Sequence, residues 1–268
     1  MNWMHACRRG VTTTTTIAGL VSVAACGNGV DLAGSTANQM RLSFTTRPVS
    51  ASLRATIGIA RDIAIGPSGQ LVLKKIQLVI DRVELSRSGA VSCIDDAEQS
   101  GGADDCENVE GSAILADVPV DDAVHTVINV PVATGTYRRL EARLAPADAG
   151  TAAALGVPSD MSGKSVRVEG TFNGVPFVYT SPLRTGLEFE FNPPLLVDGT
   201  SKNATVNIDV RKWFLTSDGS LIDPATANAG SANAELVESN IRNSFEAFED
   251  DDMKGDDDHQ GDHQSGDH

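Results

Sequence analysis

The chain has 268 residues, of which 41% are hydrophobic, 4% aromatic and 21% charged, with a formal net charge of −15. The hydrophobic share excludes global disorder, and the length suffices for one large domain or two small ones. The acidity excludes a nucleic-acid partner, which needs a basic face to neutralise phosphates.

Arg8 and Arg9 form a short basic head, and Val11 to Ala25 follows without a charge. That stretch falls short of the roughly 20 apolar residues that span a bilayer. A basic start, a modest apolar run and small residues before a cut describe a secretory signal over residues 1–25. Its end, Leu20-Val21-Ser22-Val23-Ala24-Ala25-Cys26, resembles a bacterial lipobox, in which the cysteine is lipidated and becomes the first mature residue. A plain cleaved signal and a buried core helix are the other readings, and Arg8-Arg9 also hints at twin-arginine export. Removing residues 1–25 takes away two arginines and no acids, so the mature charge is −17. Contact with a membrane must then come from lipid on Cys26. Gly27 and Asn28 follow it, with no adjacent aspartate. The lipoprotein resemblance thereby implies the outer membrane of a two-membrane cell envelope.

Residues 26–39 are small and polar and read as a tether. A β-rich domain is expected over residues 40–248. Leu71 to Ile80 sets Ile76, Leu78 and Ile80 on one face, and beyond Asp81-Arg82 the apolar positions Val83 and Leu85 have the opposite parity. A flip inside one run predicts a β-bulge. Cys93 and Cys106 are the pair left over once Cys7 is assigned to the signal and Cys26 to lipid. In an oxidising compartment they are expected to form a disulfide worth roughly 3 kcal/mol, and a metal-thiolate site would need further ligands nearby. Between them lie Asp95, Asp96, Glu98, Asp104 and Asp105, a solvated loop tip or a set of oxygen ligands for Ca²⁺.

His125 is the one histidine of the expected body, so a Ser-His-Asp relay would have to run through it. Its place beside Asp121-Asp122 and before Val127-Ile128 suggests a solvent-facing strand start. Leu140, Ala142 and Leu144 alternate with Arg139, Glu141 and Arg143. Val166 and Val168 alternate with Arg167 and Glu169, and Val206, Ile208 and Val210 with Asn207, Asp209 and Arg211. Each run predicts an antiparallel strand with one dry face and one face in water. A short helix is expected over 148–155. Gly163-Lys164-Ser165 imitates the end of a phosphate loop, but Pro158 occupies the place of the motif's first glycine. Phe172-Asn173-Gly174-Val175 predicts a type I′ hairpin, and Pro176 puts the returning strand at an edge. Asp218-Gly219 marks another turn. A second helix is expected over 233–248, with Leu236, Asn240, Ile241, Phe245 and Phe248 recurring at three to five residues.

Residues 249–268 read as a disordered acidic tail, with nine acids against Lys254 giving a local charge of −8. The tail also carries His259, His263 and His268. Asp250, Asp252, Asp256 and Asp258 echo an EF-hand loop, but Lys254 replaces an oxygen ligand and Gly261 the closing glutamate. With His259 and His263 they form a candidate weak site for a divalent cation.

The stretches Lys74–Leu85, Gly135-Thr136-Tyr137-Arg138-Arg139-Leu140 and Asn207-Ile208-Asp209-Val210 resemble bacterial lipoproteins that carry a domain of unknown function of the 4382 type. The resemblance covers residues 40–213 and implies a β-sandwich in an exported protein, with no catalytic residues to carry over. A more distant similarity is to copper-binding lipoprotein sandwiches, whose domain histidines this sequence lacks. The sequence thus predicts an all-β antiparallel sandwich, immunoglobulin- or transthyretin-like, with a C-terminal helix. It is expected to be lipid-anchored and non-enzymatic, needing no cofactor beyond a weakly held divalent cation. Its partners would be the membrane, through its anchor, and an envelope protein or ligand. A divalent-cation buffer is the alternative, and a hydrolase working through His125 the weaker one.

Overall fold

The computed structural model describes residues 39–47, 62–66, 70–87, 106–110, 112–200 and 202–254, all within the compact unit Thr36–His268. For Gln39, 106–110 and Val130 it describes the backbone alone. The strands are β1 (Gln39–Thr45), β2 (Ile63–Ile65), β3 (Leu71–Ser86), β4 (Cys106–Glu110), β5 (Ile114–Val118) and β6 (His125–Pro131). They continue with β7 (Gly135–Leu144), β8 (Val166–Phe172), β9 (Val175–Ser181), β10 (Thr185–Val197), β11 (Lys202–Ile208) and β12 (Phe245–Glu249). Two helices, α1 (Ala149–Leu155) and α2 (Ala234–Arg242), complete the regular structure described.

The strands form two sheets, consistent with an all-β sandwich. The first runs β12-β11-β1-β6, and the second β10-β7-β3-β8-β9, with β2, β4 and β5 also paired to β3. One pair departs from the antiparallel expectation: β1 and β11 run parallel, with Leu42 opposite Ala204 and Phe44 opposite Val206. A single core joins the two sheets, contributing Met40, Leu42, Phe44, Val206 and Ile208 from one and Leu71, Leu78, Leu85, Leu140 and Phe189 from the other. At the seam β10 packs against β12, and β4 and β5 approach β6.

The sixteen-residue β3 organises the second sheet. Its first half pairs with β8, β2 and β5, and its second half with β7 and β4. The register slips between Ile80 and Arg82, where the sequence pattern changes parity. That bulge lets Ile76, Leu78 and Ile80 before it, and Val83 and Leu85 after it, all enter the core. The β8–β9 hairpin turns through Asn173 at φ 51° and Gly174 at φ 79°, the left-handed pair a type I′ turn requires. The returning β9 is an edge strand of the sheet, as Pro176 demands. Gly170, on β8 opposite Phe177, has no room for a side chain, since a Cβ there would clash with the Val72 carbonyl oxygen.

The short helix forms where expected. Asp148 caps it by accepting the Thr151 N–H, and Gly156 ends it at φ 62°. The helix over 233–248 is corrected: α2 stops at Arg242, and Phe245–Glu249 turns into β12, antiparallel to β11. The reason lies in tertiary anchoring. The Ser244 hydroxyl accepts the Trp213 indole N–H at 2.7 Å and donates to the Ile241 carbonyl, while the Ser244 carbonyl accepts the Asp209 amide. The chain is thereby delivered to the edge of β11, where strand pairing outweighs the helical spacing.

The expectation of charged faces in water is corrected as well. Arg139, Glu141 and Arg167 are buried, and so is Asn207. Alternation showed which residues share a face, but not how far members of the charged face are buried. The third alternating run also ends early, because Val210 opens a 3-10 turn rather than extending β11.

Candidate functional site

His125 opens β6, exposed, with its Nε2 3.2 Å from both carboxylate oxygens of Asp121. Asp122 is taken by Arg211, which donates at 2.9 Å and also bonds the Thr46 carbonyl at 2.6 Å. No Ser or Thr hydroxyl of the described residues hydrogen-bonds His125.

Gly163-Lys164-Ser165 lies in the turn between a 3-10 segment, Ser159–Met161, and β8. Its three amides donate to the carbonyls of Ala147, Met161 and Ser181 respectively. A phosphate-binding loop needs those N–H groups pointed at the ligand. Here they hold the chain together.

The start of the acidic tail belongs to the fold. Glu249 ends β12, and Asp250 is fully buried. Its carboxylate accepts the Thr205 hydroxyl and the Lys254 amide, each at 2.8 Å. Asp251 accepts from the Asn203 amide at 2.9 Å and from the Lys202 ammonium at 2.6 Å, and Glu249 accepts from the same ammonium at 2.9 Å. Burial works against the charge of Lys202, but the bonds to Asp251 and Glu249 win and hold it above the ordinary lysine range. Asp252 pairs with Lys254, whose ammonium holds that carboxyl below the usual aspartate range. Residues 249–254, expected as the start of a disordered tail, therefore belong to the fold. Of the candidate cation ligands, Asp250 and Asp252 sit in this knot, already bonded to the fold. Asp256, Asp258, His259 and His263 lie outside the described residues, as do Cys26, Cys93 and the acidic loop; Cys106 begins β4. Among the described residues no group of three or more His, Cys, Asp or Glu is arranged to hold a metal.

A charged constellation lies across β3, β7 and β10, of which the sequence placed the β7 members Arg139, Glu141 and Arg143 in solvent. The registers put Glu84 opposite Glu141, and Glu141 opposite Glu188, so three glutamates form one rung across three strands. The neighbouring rung sets Arg82 opposite Arg143, and the next sets Ser86, Arg139 and Glu190 in line. Like charges directly opposed weaken a sheet. Relief comes from the arginines of the adjacent rungs: Arg139 reaches Glu188 at 2.8 Å, Glu190 at 3.4 Å and Glu141 at 3.7 Å, Arg82 reaches Glu84 at 3.5 Å, and Arg143 bonds Asp81. Glu141 is 2% exposed and Glu84 8%, and the Glu84 Oε2 is buried with no hydrogen-bond partner. Burial pushes the Glu84 carboxyl above the usual glutamate range; Arg82 and Arg143 oppose that, and Glu141 adds to it. Alternation of charge in both segments was visible in the sequence, but their register was not.

At the entry of β7, the buried Tyr137 donates its hydroxyl to the Ala133 carbonyl at 2.9 Å, four residues upstream, in the manner of a tyrosine corner. Arg87 lies over its ring at 5.2 Å and donates to its oxygen. The Gly-Thr-Tyr strand entry is thus a structural fastening.

A shallow groove of about 340 Å³ runs beside the β8–β9 hairpin, lined by Lys74, Glu169, Gly170, Pro176, Phe177 and Val178. The adjoining edge is guarded. Pro176 has no N–H to offer, and the Thr180 amide is taken by the Asn228 side chain at 3.0 Å. Strand addition by a partner at β9 is therefore disfavoured. The fold defines an all-β sandwich whose sheets meet at β10 and β12 and whose described polar groups mostly serve the fold. No family model, curated protein or solved structure matches the chain.

Proposed function

We propose that this chain is a lipid-anchored, non-enzymatic binding or structural module of the bacterial cell envelope, tethered through Cys26. One observation carries the reading: the uncharged run Val11–Ala25 ends in Val23-Ala24-Ala25-Cys26, small residues before a cysteine. The absence of an aspartate at 27 or 28 favours the outer membrane. The resemblance to 4382-type domains supports the same assignment, since its three stretches fall on β3, the entry of β7 and the end of β11. Within the sandwich, bonding supports a scaffold: Arg167 binds Asp160 and Glu169, and Lys202 and Arg211 bridge separate segments. The test is expression in a two-membrane bacterium with a radiolabelled fatty acid. The wild type incorporates label and fractionates with outer membrane, while Cys26→Ser does neither. An unlabelled wild type that still reaches the envelope would replace the lipid anchor with a plain cleaved signal.

A second reading, divalent-cation binding, is favoured by the interleaving of Asp256 and Asp258 with His259 and His263. Calorimetric titration of the mature chain with Ca²⁺ and with Zn²⁺, compared with a chain ending at residue 254, separates the two. Heat that vanishes on truncation supports a cation-binding tail. No heat from either chain removes it.

A further inference from the structure

We propose that the glutamate rung of β3, β7 and β10 is a proton-binding element, with one proton held between Glu84 and Glu141, which fastens the seam where β3 meets β7 and β4. The argument begins with register. Glu84, Glu141 and Glu188 are direct partners across three adjacent strands, so their carboxylates are forced onto one line on one face. Among the described residues the ion pairs of that line are shared rather than one to one. Arg139 divides its guanidinium among Glu188, Glu190 and Glu141, standing closest to Glu188. Arg143 is committed to Asp81 on the flank. Arg82, partly exposed, stands 3.5 Å from Glu84 Oε1 and does not reach Oε2.

The groups facing Glu84 are therefore Arg82 and Ser86 on its own strand, Arg139, Glu141 and Arg143 on β7, and Glu188 and Glu190 on β10. On β4, Asn108 stands opposite it by register. Among these, the orphaned Oε2 is the decisive feature. An ionised oxygen buried without a donor is costly, because the desolvation of its charge goes unrecovered. A protonated carboxyl removes that cost and gains an O–H to donate toward the acceptor-only Glu141. Two carboxylates that share a site and take up a single proton are the familiar outcome of like charges held together.

The sign of the linkage follows. Glu84 binds its proton more readily in the folded chain than in the unfolded one, in agreement with the upward displacement of its carboxyl. Stability from this site is therefore present in full below the usual glutamate range and is lost as pH rises through the folded value. Since β3 pairs with β4 and β7 through the same stretch, Val83–Ser86, ionisation loosens both pairings. The element makes the sandwich tighter in acid and looser in alkali. An envelope location would expose it to such changes, but the proposal does not depend on one.

The experiment is a titration of the full mature chain carrying ¹³C-labelled glutamate carboxyls, followed by nuclear magnetic resonance from about pH 8 to about pH 3. Glu84 is assigned from Glu84→Gln and the exposed Glu188 from Glu188→Gln. The proposal expects the Glu84 midpoint to lie above that of Glu188 and to fall toward it in Glu141→Gln. A Glu84 midpoint at or below that of Glu188 overturns it. Thermal melts of wild type and Glu84→Gln give an independent reading, since the difference between the two cancels the general effect of acid on so acidic a chain. Glu84→Gln is expected to melt about 2–4 °C higher than wild type near pH 8. That advantage should shrink as pH falls toward 5. A constant difference across this range overturns the proposal as well.

Discussion

Thr126, Ser43 and Thr205 form a rung across β6, β1 and β11, much as Glu84, Glu141 and Glu188 do across β3, β7 and β10. Both rungs lie on strands whose opposite faces carry core residues, and most of their members are buried. They settle their polar groups by different means. On the first sheet the hydroxyls and the Asn203 amide hand hydrogen bonds along a chain: Ser43 to Asn203 at 2.7 Å, Asn203 to Thr205 at 2.9 Å, Thr205 to the Asp250 carboxylate at 2.8 Å. Each hydroxyl both donates and accepts, so one charge suffices to anchor the series. On the second sheet every rung member is an acceptor when ionised. The row must import cations, chiefly Arg139, and still leaves one oxygen orphaned. Neutral groups can satisfy one another in a row. Like charges cannot.

That contrast can be broken most directly at its two hubs. Arg139→Met keeps much of the side chain's packing but removes the cation nearest to Glu141, Glu188 and Glu190. Loss of one partner from a buried ionic group leaves uncompensated charge, so the expected destabilisation is about 4 kcal/mol, measured by chemical denaturation at neutral pH. It should shrink in mild acid as the glutamates take up protons. A loss below about 1 kcal/mol would mean that the row is satisfied without Arg139. Asp250→Ala comes next. It strips the acceptor from Thr205 and from the Lys254 amide, at an expected cost of about 3 kcal/mol, and frees the last turn before residue 255.

Local chemistry made part of this fold legible. Asn173-Gly174 encodes its turn, the parity change at Asp81-Arg82 encodes the bulge, and Asp148 with Gly156 brackets α1, each within a few residues. What stayed hidden was non-local. Leu236, Ile241, Phe245 and Phe248 fit a helix by spacing, and only the grip of Ser244 on Trp213 and Asp209 turns the last two into β12. Parallel pairing of β1 with β11 joins segments about 160 residues apart, which periodicity does not register. The candidate site was misread for the same reason. Arg139 and Glu141 have the alternation of a wet face yet both are buried, and Glu84 joins them through a register that no single segment contains. Conversely, the Asp250 end of the acidic tail looks like solvent in the sequence and is core in the fold.

The smallest expected effect lies at the rim of the glutamate rung, and it separates burial from charge as the cause of the contrast. Glu188 is half exposed, with a side-chain exposure of 52%, although it makes the shortest contact to Arg139, at 2.8 Å. If proximity alone set the energetics, Glu188→Gln would be the costliest change in the row. Water competes for an exposed carboxylate, however, and exposed ion pairs contribute little. After the substitution Arg139 retains Glu190 and moves its charge toward Glu141, the buried member with most to gain. Glu188→Gln is therefore expected to change stability by no more than about 0.5 kcal/mol at neutral pH, as read from denaturant midpoints. With Arg139 turned inward, ionised Glu141 is better compensated, and the pH dependence carried by Glu84 should persist with a slightly lower midpoint. A large loss in this variant would place the stabilising interaction at the surface and leave the buried row as its passive extension.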